Sequence, residues 1–184
     1  MVTSSAELAD AGLPLEIEEF LAYLLSERGR ARNTVAAYRR DLTGYASHLQ
    51  RRGRTPLDAD RSDIEAWIAG QRGEGAASSS IARRLAAVRM LHRHMAAESV
   101  RPDDPALALD GVSVPSGVPK PLTEGEVARL LDAVQGADPT ARRDRAILEL
   151  MYGTGARVAE VASLSLGDVD LRGRLVRLLG KGSK

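Results

Sequence analysis

The residue types most able to do chemistry in this chain sit together in the run M-Y-G-T-G-A-R-V-A-E-V-A-S-L, which starts at Met151. Gly153 and Gly155 are predicted to close one helix there, and the next to begin with Arg157 in its first turn. Unpaired N–H groups and the positive end of the helix dipole favour an anion at such a start. Glu160 follows Arg157 by three residues, on the same helical face. It is placed to orient the guanidinium, although an ordinary exposed ion pair has the same spacing. Further on, Arg174 to Leu179 alternates charged and apolar residues as a half-buried strand does, and Gly180-Lys181-Gly182 reads as a turn presenting Lys181 at a hairpin tip. Two cations delivered by separate elements suit a phosphate.

Taken together, these motifs resemble the first half of the catalytic domain of tyrosine recombinases of the XerC/XerD (phage-integrase) type, nearer the XerD branch. That family's pattern reads T-G-x-R-x-x-E-x-x-x-L and later G-K-G-x-K. Thr154, Gly155, Arg157, Glu160 and Leu164 occupy the first motif, and Gly180, Lys181, Gly182 and Lys184 the second. The resemblance implies that Arg157 clamps the scissile phosphate and that Lys181 protonates the leaving 5′ oxygen. The residue types fit those roles. Transfer of a phosphodiester to a tyrosine loads charge on the equatorial oxygens, which a guanidinium fork can hold two at a time. A lysine on a turn near other cations can have its pKa lowered enough to donate a proton.

The same family needs a His-x-x-Arg motif, a further His or Trp, and a nucleophilic tyrosine downstream of the lysine hairpin, none of which this sequence contains. Its tyrosines are Tyr23, Tyr38, Tyr45 and Tyr152, all in helical contexts. The apolar run Ile147, Leu148, Leu150, Met151 assigns Tyr152 to the core. No nucleophile is therefore expected in this chain, which by itself should bind DNA without cutting it. Neither cofactor nor metal is expected: the implied reaction uses no ATP, there are no cysteines, and the histidines His48, His92 and His94 lack partners at metal-ligand spacing. A nucleotide-binding reading of Gly153-Thr154-Gly155 is set aside because no strand precedes it and no G-K-[ST] follows, so no small-molecule substrate is expected.

Composition is consistent with a helical protein. Apolar residues make up 43% of the chain and aromatics only 3%, so packing must rest on Leu, Ala, Val and Ile. No apolar run is long enough to span a bilayer and the start has no export signal, so no membrane partner and a cytoplasmic location are expected. The net charge is only +1, but it is segregated. Residues 1–27 hold six acids and no base, whereas Arg28 to Arg54 holds eight arginines against Asp41 alone; a second basic cluster comprises Arg83, Arg84, Arg89 and Arg93. Such blocks make a basic face opposite an acidic one, the footprint of a DNA binder.

Four helices should carry that face. The first starts at Pro14 and uses Leu15, Phe20, Leu21, Leu24 and Leu25. The second, capped by Asn33, uses Val35, Tyr38, Leu42, Tyr45, Ala46 and Leu49. Its sequence R-N-T-V-A-A-Y-R-R-D-L resembles the DNA-lying helix of the family's amino-terminal domain, implying phosphate contacts from Arg39, Arg40 and Thr43. A third, capped by Ser62 or Asp63, buries Ile64, Trp67 and Ile68. The fourth opens at Ser78-Ser79-Ser80, where Ser79 is either a cap or a phosphate contact. It buries Ile81, Leu85, Val88, Leu91 and Met95 with His92 on the same stripe, and turns Arg89 and Arg93 aside together toward DNA.

The predicted organisation is a disordered tail at 1–12, a helical core-binding domain at 13–110, a proline-rich linker at 111–121 and an incomplete catalytic domain at 122–184. The last opens with a capping box, Thr123 and Glu126, followed by a helix from Thr140 to Tyr152 whose basic start, Arg142-Arg143, faces either DNA or solvent. The fold class expected is mainly α: a SAM-like helical domain, then the first part of a mainly helical tyrosine-recombinase catalytic domain with a small β element. The implied activity is site-specific recombination through a 3′-phosphotyrosyl intermediate, with duplex DNA and related subunits of a tetrameric synapse as partners. Chromosome-dimer resolution is the usual role in this family. A mobile-element integrase, a naturally short non-catalytic DNA-binding relative and a helical interaction protein are the alternatives.

Overall fold

The computed structural model describes residues 12–115 and 120–180. They form two compact units that divide between Ser116 and Gly117. The chain is mainly α, with seven helices and one two-stranded sheet among the described residues.

The first unit contains α1 (Leu15–Ser26), α2 (Arg32–Arg51), α3 (Arg61–Gly73) and α4 (Ser78–Ala97). Each buries one stripe at helical spacing. On α1 the stripe is Ile17, Phe20, Leu21 and Leu24, while Leu15 and Leu25, expected inside, lie in solvent. Leu15 stands two residues before Ile17, about 200° round the helix from the inner face, and Leu25 lies at the edge of the stripe in the last turn. Leu42, Tyr45 and Leu49 of α2, Ile64, Trp67 and Ile68 of α3, and Ile81, Leu85, Val88, Leu91 and Met95 of α4 complete a single core.

Helix starts differ from expectation. α2 begins at Arg32 after Ala31 with no side-chain cap, so Asn33 lies inside the helix. α3 is capped by Asp60, whose carboxylate accepts from the Asp63 N–H at 3.1 Å while Asp63 accepts from the Asp60 N–H at 3.1 Å. The reciprocal acid pair moves the cap two residues ahead of Ser62. The serines opening α4 make no cap bond either, and Ser79 is exposed.

Beyond α4 the proline-rich segment still belongs to the first unit. Arg101 is buried and donates to the carbonyls of Pro56 at 2.9 Å and Ala59 at 3.0 Å, and Ala106 and Leu109 enter the core behind it. Arg101 also donates to His92 Nδ1 at 3.3 Å. Because a guanidinium only donates, His92 is neutral with its proton on Nε2, directed at the Tyr45 hydroxyl 2.9 Å away. Burial first, and the charge of Arg101 second, push the His92 pKa down to about 3.

The second unit contains α5 (Glu124–Ala133), α6 (Pro139–Thr154), α7 (Val158–Ala162), a single 3-10 turn at Leu166–Asp168, and strands β1 (Val169–Asp170) and β2 (Leu175–Val176). The Thr123–Glu126 capping box is present, and Asp138 caps α6 just ahead of Pro139. The strands pair antiparallel, Val169 with Val176 and Asp170 with Leu175. The strand read from Arg174 to Leu179 is regular only over Leu175–Val176, and its partner lies upstream. The reversal is made by Asp170, whose Oδ1 accepts from the N–H groups of Arg172 at 3.0 Å and Gly173 at 2.9 Å. A Cβ on Gly173 would stand 2.5 Å from the Asp170 carboxylate, so any other residue would push that carboxylate aside from the turn.

Candidate nucleic-acid interface

Arg157 stands at the junction of α6 and α7, and the local sequence explains how it gets there. Thr154 ends α6; Gly153 lies within that helix, and Gly155 alone makes the left-handed cap, with φ +66°. The Thr154 hydroxyl donates to the Leu150 carbonyl and accepts from the Ala156 N–H at 3.2 Å. Ala156 is buried, which fixes the next residue pointing outward as the N-cap of α7. The Arg157 side chain is 76% exposed.

Glu160 holds it from below. One carboxylate oxygen accepts from the Arg157 N–H at 2.8 Å and the other from the guanidinium at 2.8 Å. These bonds, the backbone one foremost, lower the Glu160 pKa. The helix start that the sequence offers to an anion is therefore occupied by Glu160 itself, and what remains for a phosphate is the outward edge of the guanidinium. Lys181, Gly182 and Lys184 lie outside the described residues.

Tyr152 is not a core residue: it is 59% exposed. Only Ala156 and Val161 are buried in this unit among the described residues, so the face of α6 that carries Tyr152 has nothing packed over it.

In the first unit, the predicted contacts do not all share one surface. Arg40 is exposed beside a cleft of about 460 Å³ between α2, α3 and α4. Arg39 pairs through both terminal nitrogens with Glu18 of α1. The Thr43 hydroxyl donates back to the Arg39 carbonyl at 2.8 Å. Arg89 is half-buried and donates to the Leu109 carbonyl, so it does not turn aside with Arg93, which is exposed beside the ring of His94 in a separate groove.

Sequence reasoning grouped Arg51, Arg83 and Arg84 with the basic segments but did not single them out. All three line the α2–α3–α4 cleft with Arg40. Arg83 pairs with Asp41, and Arg84 donates to Gln71 Oε1 at 2.6 Å. Asp41, alone among eight arginines, was the available signal: a lone acid in a basic helix is a candidate partner for a specific cation. By contrast Arg52 and Arg54 of the same block serve the fold, bonding Asp63 at 2.8 and 3.4 Å.

Comparison with known proteins follows these two features. Residues 17–99 match the family described as phage integrase, N-terminal SAM-like domain, and residues 120–184 the phage integrase family. The chain belongs to the phage-integrase family of tyrosine recombinases. It is 36% identical over 168 residues to the tyrosine recombinase XerD of Pasteurella multocida, with 91% of this chain and 57% of that protein covered. It is 41% identical over 184 residues to XerD of Mycobacterium tuberculosis, with 94% and 59% covered. The chain thus spans less than three fifths of the length of these relatives. Among solved structures, a lambda integrase dimer bound to a core site superposes with a TM-score of 0.68 at 20% identity, covering 91% of this chain and 58% of that one. The integrase of mycobacterium phage Brujita gives 0.51 at 21%, covering 91% and 54%.

Proposed function

We propose that this chain is the DNA-binding and phosphate-clamping part of a site-specific tyrosine recombinase. The observation that carries the reading is Arg157, an exposed guanidinium fixed by Glu160 at the α6–α7 turn of the T-G-A-R-V-A-E motif. A fork so held presents N–H donors to two phosphate oxygens at once, and its charge acts most strongly when a pentavalent phosphorus places extra charge on them. Lys181, by its motif, supplies the proton to the leaving 5′ oxygen. The basic helices of the first unit contribute binding through neutralised phosphates.

The relatives named XerD support recombination as the role, with chromosome-dimer resolution in the cytoplasm as the particular task. A lambda integrase tetramer bound to a Holliday junction is among the similar structures, and an equivalent assembly with related subunits is the proposed working state. The 184 residues alone are proposed to form no covalent DNA adduct. Tyr23 stacks on His94, Tyr38 donates to Met90 Sδ at 3.1 Å and Tyr45 meets His92, all within the first unit. Tyr152, being exposed, is the tyrosine to test.

A nicked suicide duplex incubated with the chain and run on a denaturing gel should show no covalent band. When the remaining part of a full-length relative is supplied, a band should appear and Arg157→Ala should abolish it. A band from the 184 residues alone, removed by Tyr152→Phe, would overturn the assignment of the chain as clamp without nucleophile.

A further inference from the structure

We infer that the cleft between α2, α3 and α4 seats backbone phosphates of one DNA strand, with Asp41 and Gln71 acting as positioning residues for Arg83 and Arg84. This rests on the DNA-binding reading above and names where in the first unit that binding is built.

Arg83 and Arg84 are consecutive on α4, so their side chains leave the helix about 100° apart. Each is met by a nearly buried polar group on a different helix: Asp41 of α2 is 6% exposed and Gln71 of α3 is 5% exposed. Burying a carboxylate and an amide is costly unless each is paired, and here each is paired with one of the two arginines. Together the two partners splay the arginines, Arg83 over α2 and Arg84 over α3, on either side of the cleft.

The hydrogen-bonding capacity left over is mostly that of donors. Gln71 uses its oxygen on Arg84, while its buried Nε2 has no partner among the described residues. His48 Nε2 is the other buried side-chain atom in the wall without a partner among the described residues. Arg40 and Arg51 line the same cleft and make no ion pair among the described residues. The acids at the cleft are Asp41, matched by Arg83, and Glu74. His48, also in its wall, is held below the usual histidine pKa by burial first and then by Arg51 and Arg52, so it brings no charge at neutral pH. Donors in excess over acceptors, with net positive charge, fit a ligand that only accepts, which is a phosphate diester.

Length distinguishes a strand from a single ion. Arg40 and Arg51 are eleven residues apart on one helix, hence about 16 Å at 1.5 Å per residue. A DNA strand carries one charge per about 3.4 Å of axis, so this row spans several phosphates.

The test uses the whole chain and a mixed-sequence duplex of about 30 base pairs, with affinity measured by fluorescence anisotropy across a salt series. Arg84→Gln should weaken binding about 3- to 10-fold and lower the slope of log affinity against log salt by about 0.9, as loss of one phosphate contact does. Gln71→Met removes no charge, yet should reproduce most of that change, and the double variant should add little to Arg84→Gln. Arg72→Gln, on α3 but in the groove beside Leu109 and Asp110, should leave affinity within about twofold, the margin expected for an uncoupled surface charge.

A purely structural Gln71 would shift the melting temperature and leave the salt slope alone, and that result overturns its positioning role. Equal effects from Arg72→Gln and Arg84→Gln would overturn the seat. Should Gln71→Met fail to fold by circular dichroism, the comparison of those two arginines decides. A wild-type chain with no salt-dependent affinity sinks the DNA-binding reading itself, an outcome distinct from wild-type binding that the cleft variants do not change.

Discussion

The two units are built from similar helix-forming sequence, and they differ in how much of it they enclose. In the first, four helices and the segment after them enclose a core that runs from Ile17 to Leu109. In the second, Leu122, Leu130, Tyr152, Val158, Leu166, Leu171, Leu175 and Leu179 are exposed, and only Ala156 and Val161 are buried among the described residues. Yet the second unit has the better helix starts, with reciprocal caps at Thr123 and an Asp-Pro start to α6. Capping sets where a helix begins, at about 1 kcal/mol each, whereas a core requires a second layer for every apolar face.

The largest expected consequence is in amide exchange. Amides in the middle of α2 and α4 should exchange only by global opening, and those in α5 to α7 by local opening, at least about 100-fold faster. Equal protection in both units would erase the contrast. Next in size is a pair of truncations measured by denaturant melts. Leu91→Ala, at a fully buried position, should cost about 2–5 kcal/mol, and Leu130→Ala, at an exposed position of α5, under about 0.5 kcal/mol. Similar costs would mean that α5 is packed in solution.

The pH dependence of stability sharpens the comparison. His92 titrates well below its unfolded value of 6.5, so between those two values the unfolded chain binds the extra proton. The stabilisation is complete above about pH 6.5 and is lost as pH falls toward the folded pKa, at about 1.4 kcal/mol per unit. Lowering the pH from neutrality to about 5 should cost the first unit about 1–2 kcal/mol, with His48, shifted the same way, adding to the trend. His92→Gln should flatten the curve. The described residues of the second unit include no histidine, so their melt should not move in that interval. Thr123→Ala should remove about 1 kcal/mol from α5 alone and show only as reduced local helicity.

How much of this was readable beforehand varied with the kind of interaction. The stripes of α2, α3 and α4 and the Thr123 box are encoded by neighbours three or four residues apart, and periodicity reveals them. Three features were not readable because they depend on residues far apart or on what is absent. Arg101, 45 residues from Pro56, carries no local signal of burial until the loop it caps is folded beneath it. The pairing of β2 with β1 depends on the Asp170 turn, which alternation within Arg174 to Leu179 cannot show. Tyr152 sits in a run apolar enough for a core, but that run is only half-buried and Tyr152 falls on its exposed side. In the candidate interface, spacing places the arginines on helices, while the partners that decide which of them are available, Glu18, Asp41, Gln71 and the Leu109 carbonyl, all come from other elements.

The buried Arg101 also bears on where the first domain can be cut. Residues 17–99 carry the N-terminal family match, and a fragment trimmed to that span would retain α2, α3 and α4 whole and α1 but for its first two residues. It would also expose the carbonyls of Pro56 and Ala59 and deprive His92 Nδ1 of its donor, while removing Ala106 and Leu109 from the underside of the core. On a ribosome the same dependence sets an order of events: the bundle cannot close until the chain has emerged some ten residues past α4. An excised domain intended to fold by itself should therefore run to at least residue 112, since Val112 is the last apolar residue among those described that packs against the core.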